Sequence, residues 1–417
     1  MKEHIVGIDL GSSKICGAVG KISSNGKLQI IGITSVICSG LNKSVVIDID
    51  STAEAIKQCV IQLERMTDTQ ISEGYISLPG GICELVRNTG MIAISSEDRE
   101  IKQGDVDRVI EAAKLISVPP DKEIVGVEPE QYIVDGYDNI KDPRGMSAER
   151  LEVEAQVVMA QTTVVSNLLK SVRRAGIKVN GIVLQPSAIA EAVIRKEEKD
   201  MGIAIVDVGA ETIDISIYKG AKLKYTSILQ LGGNNITNDI SVCLKIPFSE
   251  GEKLKLKYGS LVKGNEMDME KIRVKDSYDN FMEIDNNLLV DIIEARVEEL
   301  LHLIKKNLLN SGYYKEISGA VIVGGGISLF RGTTELSKKI LDKPVRIGSP
   351  DYVGAASPIY VTAVGIVIQA VNNLRTSSSL SEELDENSYE DKWSKNQNKN
   401  GKNGFASKIK GFFADFF

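Results

Sequence analysis

The feature that most constrains this chain is a pattern that it contains twice. Residues 4–21 read HIVGIDLGSSKICGAVGK, and residues 202–219 read GIAIVDVGAETIDISIYK. In each, an apolar run ends in an aspartate, a glycine-bearing turn follows, and a strand of alternating polar and apolar residues comes next. That order predicts a β-hairpin with glycine at its tip. Asp9 and Gly11 of the first copy correspond to Asp207 and Gly209 of the second. An acid beside a tip that exposes backbone N–H groups suits a phosphate bound together with a divalent cation. A single copy would read as an ordinary hairpin with small turn residues. Two copies, half a chain apart, point to a duplicated architecture in which facing tips clamp a nucleotide from both sides.

Several function classes are disfavoured. A net charge of −7 offers no basic field to a phosphate backbone, so no nucleic-acid partner is expected. The chain has two histidines, His4 and His302, which exclude a His-rich metal site and leave no Ser-His-Asp or Cys-His arrangement for covalent catalysis. Its five cysteines are scattered without a CxxC pair, which favours buried thiols in a reducing cytoplasm over disulfides or zinc. Asp9 interrupts the only apolar stretch near the start, so no signal peptide is expected. The longest apolar segment, 359–371, contains Thr362 and Gln369 and is too short to span a bilayer. With 417 residues, two or more domains are expected.

Apolar spacing predicts helices over 52–66, 105–116, 163–175, 187–196, 236–244, 249–256 and 291–309. Strands are expected over 27–35, 74–78, 83–95, 124–135, 151–159, 179–184, 222–230 and 320–323, the last running into Gly324, Gly325 and Gly326. The stretch from 83 to 161 changes character and has the size of a small inserted domain. Residues 375–404 are rich in Ser, Asn, Lys, Asp and Glu and should lack fixed structure. They precede an apolar C-terminal segment, FASKIKGFFADFF.

Candidate ligand contacts follow from these placements. A GGG run after a strand lets the backbone approach a flat ligand. Glu252 and Lys255, at helical spacing, can reach ribose hydroxyls and adenine, or form an exposed ion pair. Asp9 and Asp207 can hold Mg²⁺ through water, or serve turn chemistry at the hairpin tips.

In combination, GIDLGSSK, IVDVGAETIDIS, LQLGGNNITNDI, EKLKLKYG and AVIVGGGISLFRG resemble the actin-like ATPase superfamily. Within it the chain resembles the FtsA family of bacterial cell division. The segments carrying that resemblance are VPPDKEIVGVEPEQYIVD at 118–135, Asp142 to Met146, and Arg150-Leu151-Glu152. The resemblance implies two duplicated halves around an ATP cleft, an FtsA-type inserted subdomain and a C-terminal amphipathic helix. It matches Gly11, Ser12, Ser13 and Lys14 to a first phosphate loop, and Gly209, Ala210, Glu211 and Thr212 to a second. Gly232 and Gly233 match a connecting loop; Glu252, Lys255 and Gly324 to Gly326 match an adenosine site. The implied subdomains are 1–82 with 162–200, the insert 83–161, 201–240 with 319–374, and a smaller unit 241–318, followed by the linker and tail.

The second phosphate loop departs from the usual DxGGGTTD. Here it reads Asp207-Val208-Gly209-Ala210-Glu211-Thr212-Ile213-Asp214, placing a methyl and a carboxylate where bare backbone normally faces phosphate. ATP binding with Mg²⁺ and at most slow hydrolysis is therefore expected, and a carboxylate near the γ-phosphate should make affinity strongly Mg²⁺-dependent. The resemblance further implies a polymerising adaptor that binds the C-terminal tail of the tubulin-like FtsZ, recruits other division proteins and works at the cytoplasmic face of the membrane at the septum. On a helical wheel Phe405, Ile409, Phe412, Phe413 and Phe416 share one arc that Phe417 extends. Lys408 and Lys410 flank it, as an anionic membrane surface would require. Alternatives within the superfamily are a pilus-assembly actin-like protein, a sugar kinase or an Hsp70 relative, none of which needs such a tail.

Overall fold

The computed structural model describes residues 4–23, 25–263, 272–275 and 281–386, with the backbone alone from residue 375. Two compact units divide the chain, Met1–Gln369 and Ala370–Phe417. Of the second, the described part is the continuation of one helix to Glu386. The tail residues Phe405 to Phe417 lie outside the described residues.

The first half opens with β1 (His4–Leu10), β2 (Lys14–Ile22) and β3 (Leu28–Ile37), the expected hairpin and its third strand. A small hairpin of β4 (Leu41–Asn42) and β5 (Val45–Val46) leads into α1 (Ile49–Thr67). Asp48 caps that helix, its side chain accepting from the N–H groups of Asp50 and Ser51, and Ala53, Ile56, Cys59, Val60 and Leu63 form its buried stripe. β6 (Glu73–Leu78) follows and ends in a 3-10 turn, Gly80–Ile82.

Here the chain departs into the insert: β7 (Glu84–Ala93), α2 (Gln103–Ala113), β8 (Lys122–Val134), β9 (Tyr137–Ile140) and β10 (Arg150–Gln161). These strands form a separate sheet of order β7-β10-β8-β9. It has its own core, in which Val106 and Val109 of α2 meet Leu151, Val153 and Ala155 of β10. The return runs through α3 (Thr162–Arg174), β11 (Lys178–Leu184), α4 (Gln185–Val193) and α5 (Lys196–Met201).

The second half comprises β12 (Ile203–Val208), β13 (Ile213–Lys219), β14 (Lys222–Leu229), α6 (Gly233–Leu244), α7 (Phe248–Tyr258), the strand pair β15 (Ile272–Lys275) and β16 (Phe281–Ile284), and α8 (Asn286–Asn310). It finishes with β17 (Gly319–Val323), α9 (Thr333–Leu341), β18 (Val345–Ile347) and α10 (Val361–Glu386). The two large sheets have orders β11-β6-β1-β2-β3 and β18-β17-β12-β13-β14. Strand for strand they match: an antiparallel meander with two parallel strands added beside its first strand. The duplication seen in the hairpins thus extends over both sheets. The insert occupies the crossover from β6 to β11, where the second half has only α9 from β17 to β18.

Helices α4 and α10 follow the last strand of each half and pack tightly. A Cβ added at Gly365 would stand 1.9 Å from the Ala188 carbonyl oxygen. Several elements differ from expectation. The 83–95 stretch is one strand, the helix expected at 187–196 is the pair α4 and α5, and α8 starts at Asn286 rather than 291. α10 continues to Glu386, past residue 374 where order was expected to end. The β4–β5 hairpin, the β15–β16 pair and α9 were not anticipated. The strands are two to four residues long, and α9, though its buried residues follow the helical period, is only nine residues long and includes polar Thr333 and Ser337 on its buried face.

Gly365→Ala is expected to destabilise the fold by about 1–3 kcal/mol, since backbone has to move. Gly104, in α2, has open space around its Cβ position, so Gly104→Ala should be neutral or stabilising by up to about 1 kcal/mol. Urea unfolding midpoints of the two variants check this; equal effects would refute the tight helix crossing.

Candidate functional site: a cleft between two hairpin tips

The two tips are built alike. Gly11 N–H donates to the Lys14 carbonyl at 3.2 Å, and Gly209 N–H donates to the Thr212 carbonyl at 2.9 Å. Register places Asp9 opposite Cys16 and Asp207 opposite Asp214. Directly opposed residues share a face, so Asp214 points the same way as Asp207.

Two glycine segments support the second tip. From the connecting loop, Gly233 N–H donates to the Gly209 carbonyl (2.9 Å) and Asn234 N–H to that of Ala210 (2.7 Å). From the segment after β17, Gly326 N–H donates to the Val208 carbonyl at 2.7 Å. Gly324 adopts φ +82°, and a Cβ there would lie 2.3 Å from Asp207 Oδ1. Bare backbone is therefore required at that position. Gly325 differs: its Cβ position faces only Ile359 Cγ2, at 3.1 Å.

The cleft is lined by Asp9, Gly11, Ser12, Ser13 and Lys14 of the first tip and by Asp207, Gly209, Ala210 and Thr212 of the second. Gly233, Glu252, Lys255 and Gly324 to Gly326 complete the set expected from sequence. Two expected residues are not part of the lining. Gly232 sits behind the second tip, its Cβ position 2.6 Å from the Ala210 carbonyl oxygen. The Glu211 carboxylate instead accepts from the Lys43 N–H at 2.8 Å. The lining also includes Cys16, Ser44, Gln185, Asp214, Ile359 and Thr362, which the sequence reading had not selected. A shallower depression around Leu261, Val262, Glu294, Arg331 and Lys339 contains neither tip nor buried acid pair.

Acids dominate the floor. Asp9 Oδ1 accepts from Ser77 Oγ at 2.8 Å and from Gln185 Nε2 at 3.0 Å. Burial raises its pKa, against the pull of those two bonds. Asp207 is pushed up to about 8, by burial first and then by the charges of Asp214 and Asp9. Asp214 rises to about 6 through burial, opposed by bonds from Gly81 N–H (3.1 Å) and Thr212 Oγ1 (3.4 Å). Among the described residues no group of three His, Cys, Asp or Glu could by itself hold a metal ion. On the far wall the buried Lys255 donates to the Gly233 carbonyl at 3.0 Å and pairs with Glu252 Oε2 at 2.7 Å. Burial lowers its pKa, and Glu252 offsets part of that. Thr237 Oγ1 also donates to Glu252, so the pair is held in place rather than lying free on a surface.

The arrangement offers N–H-bearing tips, buried acids and a fixed Lys–Glu wall around one cleft. Comparisons with known proteins place the chain in a family. A model described as "Cell division protein FtsA" matches residues 204–365, and one described as "SHS2 domain inserted in FTSA" matches 80–159. A model for the type IV pilus assembly protein PilM matches 136–269. The cell division protein FtsA of Bacillus subtilis (strain 168) is 36% identical over 374 residues, covering 89% of this chain and 84% of that protein. The FtsA of Borreliella burgdorferi is 33% identical and covers 98% of each. Among solved structures, a PilM-PilN type IV pilus biogenesis complex superposes with TM-score 0.60 at 17% identity, covering 88% of this chain and 98% of that one. MreB5 of Spiroplasma citri bound to ADP gives 0.55 at 14%, covering 90% and 99%. These last two share the fold. Identity at this level over nearly the whole length, together with the insert and the duplicated sheets, makes the chain a member of the FtsA family of cell-division proteins, within the actin-like ATPase superfamily.

Proposed function

We propose that this protein binds ATP with Mg²⁺ between the two tips, polymerises, and tethers FtsZ to the cytoplasmic face of the membrane at the division septum. The observation that carries the nucleotide reading is the pair of matched tips facing one cleft whose floor is acidic and whose far wall holds Lys255 and Glu252. MreB5 of Spiroplasma citri, a neighbour in fold, is bound to ADP in one structure and to AMPPNP in another. The N–H groups of the tips receive the phosphates, and Lys14 and Lys255 supply positive charge. Gly324 to Gly326 leave room for the adenosine side.

The residues present fit a hydrated divalent cation better than one stripped of water. Asp9, Asp207 and Asp214 raise one another's pKa or are raised by burial, so a nearby positive charge would favour their ionised forms. With no three-ligand group among the described residues, water and phosphate oxygens would complete the coordination of Mg²⁺. The cation would screen phosphate charge in this acidic floor, while Asp9 is held in orientation by Ser77 and Gln185.

FtsZ attachment is assigned to the smaller subdomain around 241–318, in the form of its C-terminal tail, with other division proteins recruited by the assembled polymer. Membrane attachment is assigned to the apolar arc of Phe405 to Phe417. Among the described residues no helix is long and apolar enough to cross a membrane, so peripheral anchoring by an amphipathic segment is the form proposed.

Three outcomes test this reading. Gly325→Val should still fold, because the one close neighbour of its Cβ is the Ile359 side chain at 3.1 Å, which can shift by a few tenths of an ångström where backbone could not. It should lose ATP binding by filling the adenosine side, and unchanged affinity in a titration would refute the assigned cleft. For Asp207, folded-state pKa exceeds the exposed value of 3.8 and reaches about 8. The folded chain then retains a proton that the unfolded chain releases, so this acid costs stability increasingly as pH rises through that window. Asp207→Asn should therefore raise the melting temperature of the nucleotide-free protein, by a margin growing toward pH 8, and should weaken stabilisation by Mg²⁺ with ATP. A margin that ignores pH would count against the acidic floor. Finally, Phe412→Glu with Phe413→Glu should abolish pelleting with anionic vesicles. Polymerisation-defective variants with intact tails should bind ~10²–10⁴ more weakly than polymer, through lost avidity.

A further inference from the structure

The β4–β5 hairpin turns on two residues, Lys43 and Ser44, and both have positive φ, +47° and +68°. Turns of this kind normally carry Asn-Gly, which tolerates the left-handed region. A Lys-Ser pair held there is strained, and such strain persists where the surroundings fix it. The surroundings here are the opposite half of the molecule and the first tip. Lys43 N–H donates to Glu211 Oε2 at 2.8 Å, across 168 positions of sequence. Lys43 Nζ lies 3.4 Å from Gln230 Oε1, just beyond the end of β14. Ser44 N–H donates to Ser12 Oγ at 3.0 Å, and Ser44 itself lines the cleft. One turn thus touches the first tip, the second tip and the segment leading into the connecting loop.

We propose that the Lys43–Ser44 turn and Glu211 form a clasp across the mouth of the cleft that slows the release of a nucleoside triphosphate. This rests on the cleft being the nucleotide site. The bond is charge-assisted because the acceptor is a carboxylate. The bond lies at the surface, between an exposed Lys43 and a half-buried Glu211, so opening returns both groups to water and the clasp is reversible. It also accounts for the acid at position 211. The carboxylate is spent on the opposite rim instead of facing the phosphates, so Glu211→Gly should not raise affinity at low Mg²⁺.

The full chain is tested in two ways: amide hydrogen exchange without nucleotide, and stopped-flow release of a fluorescent ATP analogue. In Glu211→Ala, protection at the Lys43 amide should fall while the β1–β2 hairpin is unchanged, and the analogue should leave on the order of tenfold faster. Glu211→Gln keeps an acceptor and should lie between Ala and the parent. Release from Glu211→Ala at or below the parent's rate would overturn the proposal. If the parent binds no analogue, it is the nucleotide reading that fails. Exchange then still judges the contact: unchanged Lys43 protection in Glu211→Ala overturns the clasp as well.

Discussion

Everything in the cleft depends on backbone meeting backbone at distances that exclude side chains. Gly365 of α10 presses on Ala188 of α4, with its Cβ position 1.9 Å from a carbonyl oxygen. At the cleft floor the Cβ positions of Gly324 and Gly326 lie 2.3 to 2.7 Å from oxygens of Asp207, Val208 and Gly209, again too close for a side chain. The first approach joins the helices that close each half. The second presses the segment after β17 onto the tip after β12. Packed interiors do not deform continuously, so a tip held by three sets of backbone bonds keeps one conformation at the edge of the cleft. A ligand arriving there would meet a tip already in place, with little ordering left to oppose binding.

Charge sets the second constraint. Asp9, Asp207 and Asp214 interrupt strands that are otherwise mainly apolar and buried. The first half donates to acids of both: Ser77 and Gln185 to its own Asp9, and Gly81, in the turn after β6, to Asp214 in the other sheet. A buried acid reaching across the cleft in this way couples the separation of the halves to the electrostatics of the floor. Nothing in the described residues neutralises these acids fully, and a cation beside them would fit that deficit.

The sequence carried the hairpins, the glycine runs and the insert because each has a local signature: an acid before a glycine turn, GGG after an apolar strand, a stretch between two interrupted patterns. Asp214 was also within reach. A four-residue tip fixes the register that sets it opposite Asp207, and the period of two then puts both on one face. Gln185 was not, since its place beside Asp9 depends on β11 lying two strands away from β1, which no local pattern encodes. The Lys43–Ser44 turn was hidden for a different reason: its residues lack the turn chemistry that marks a hairpin, because tertiary contacts hold the conformation. α10 was read only for its length against a bilayer, although its apolar run serves the junction with α4.

The insert belongs to the same logic. Glu130 of β8 is almost entirely buried, with 2% of its side chain exposed, and receives Arg87 of the insert at 3.0 Å. It also receives Lys224 of β14 at 3.0 Å, with Lys222 at 3.8 Å. Gln156 donates to it as well, at 3.0 Å. Removing one cation would leave a buried carboxylate short of its partners, which costs far more than an exposed ion pair is worth. A subdomain inserted in the crossover of the first sheet is thereby locked to the edge strand of the second. That edge strand is β14, which ends at Leu229 beside the Gln230 that meets Lys43. The same strand is thus braced by the insert near its start and touched by the rim turn beyond its end. A shift of the insert along β14 would bear directly on the loop Leu231-Gly232-Gly233, whose backbone holds the second tip. The feature that sets this fold apart from a plain duplicated pair of sheets is therefore ion-paired to the strand that leads into the loop behind the second tip.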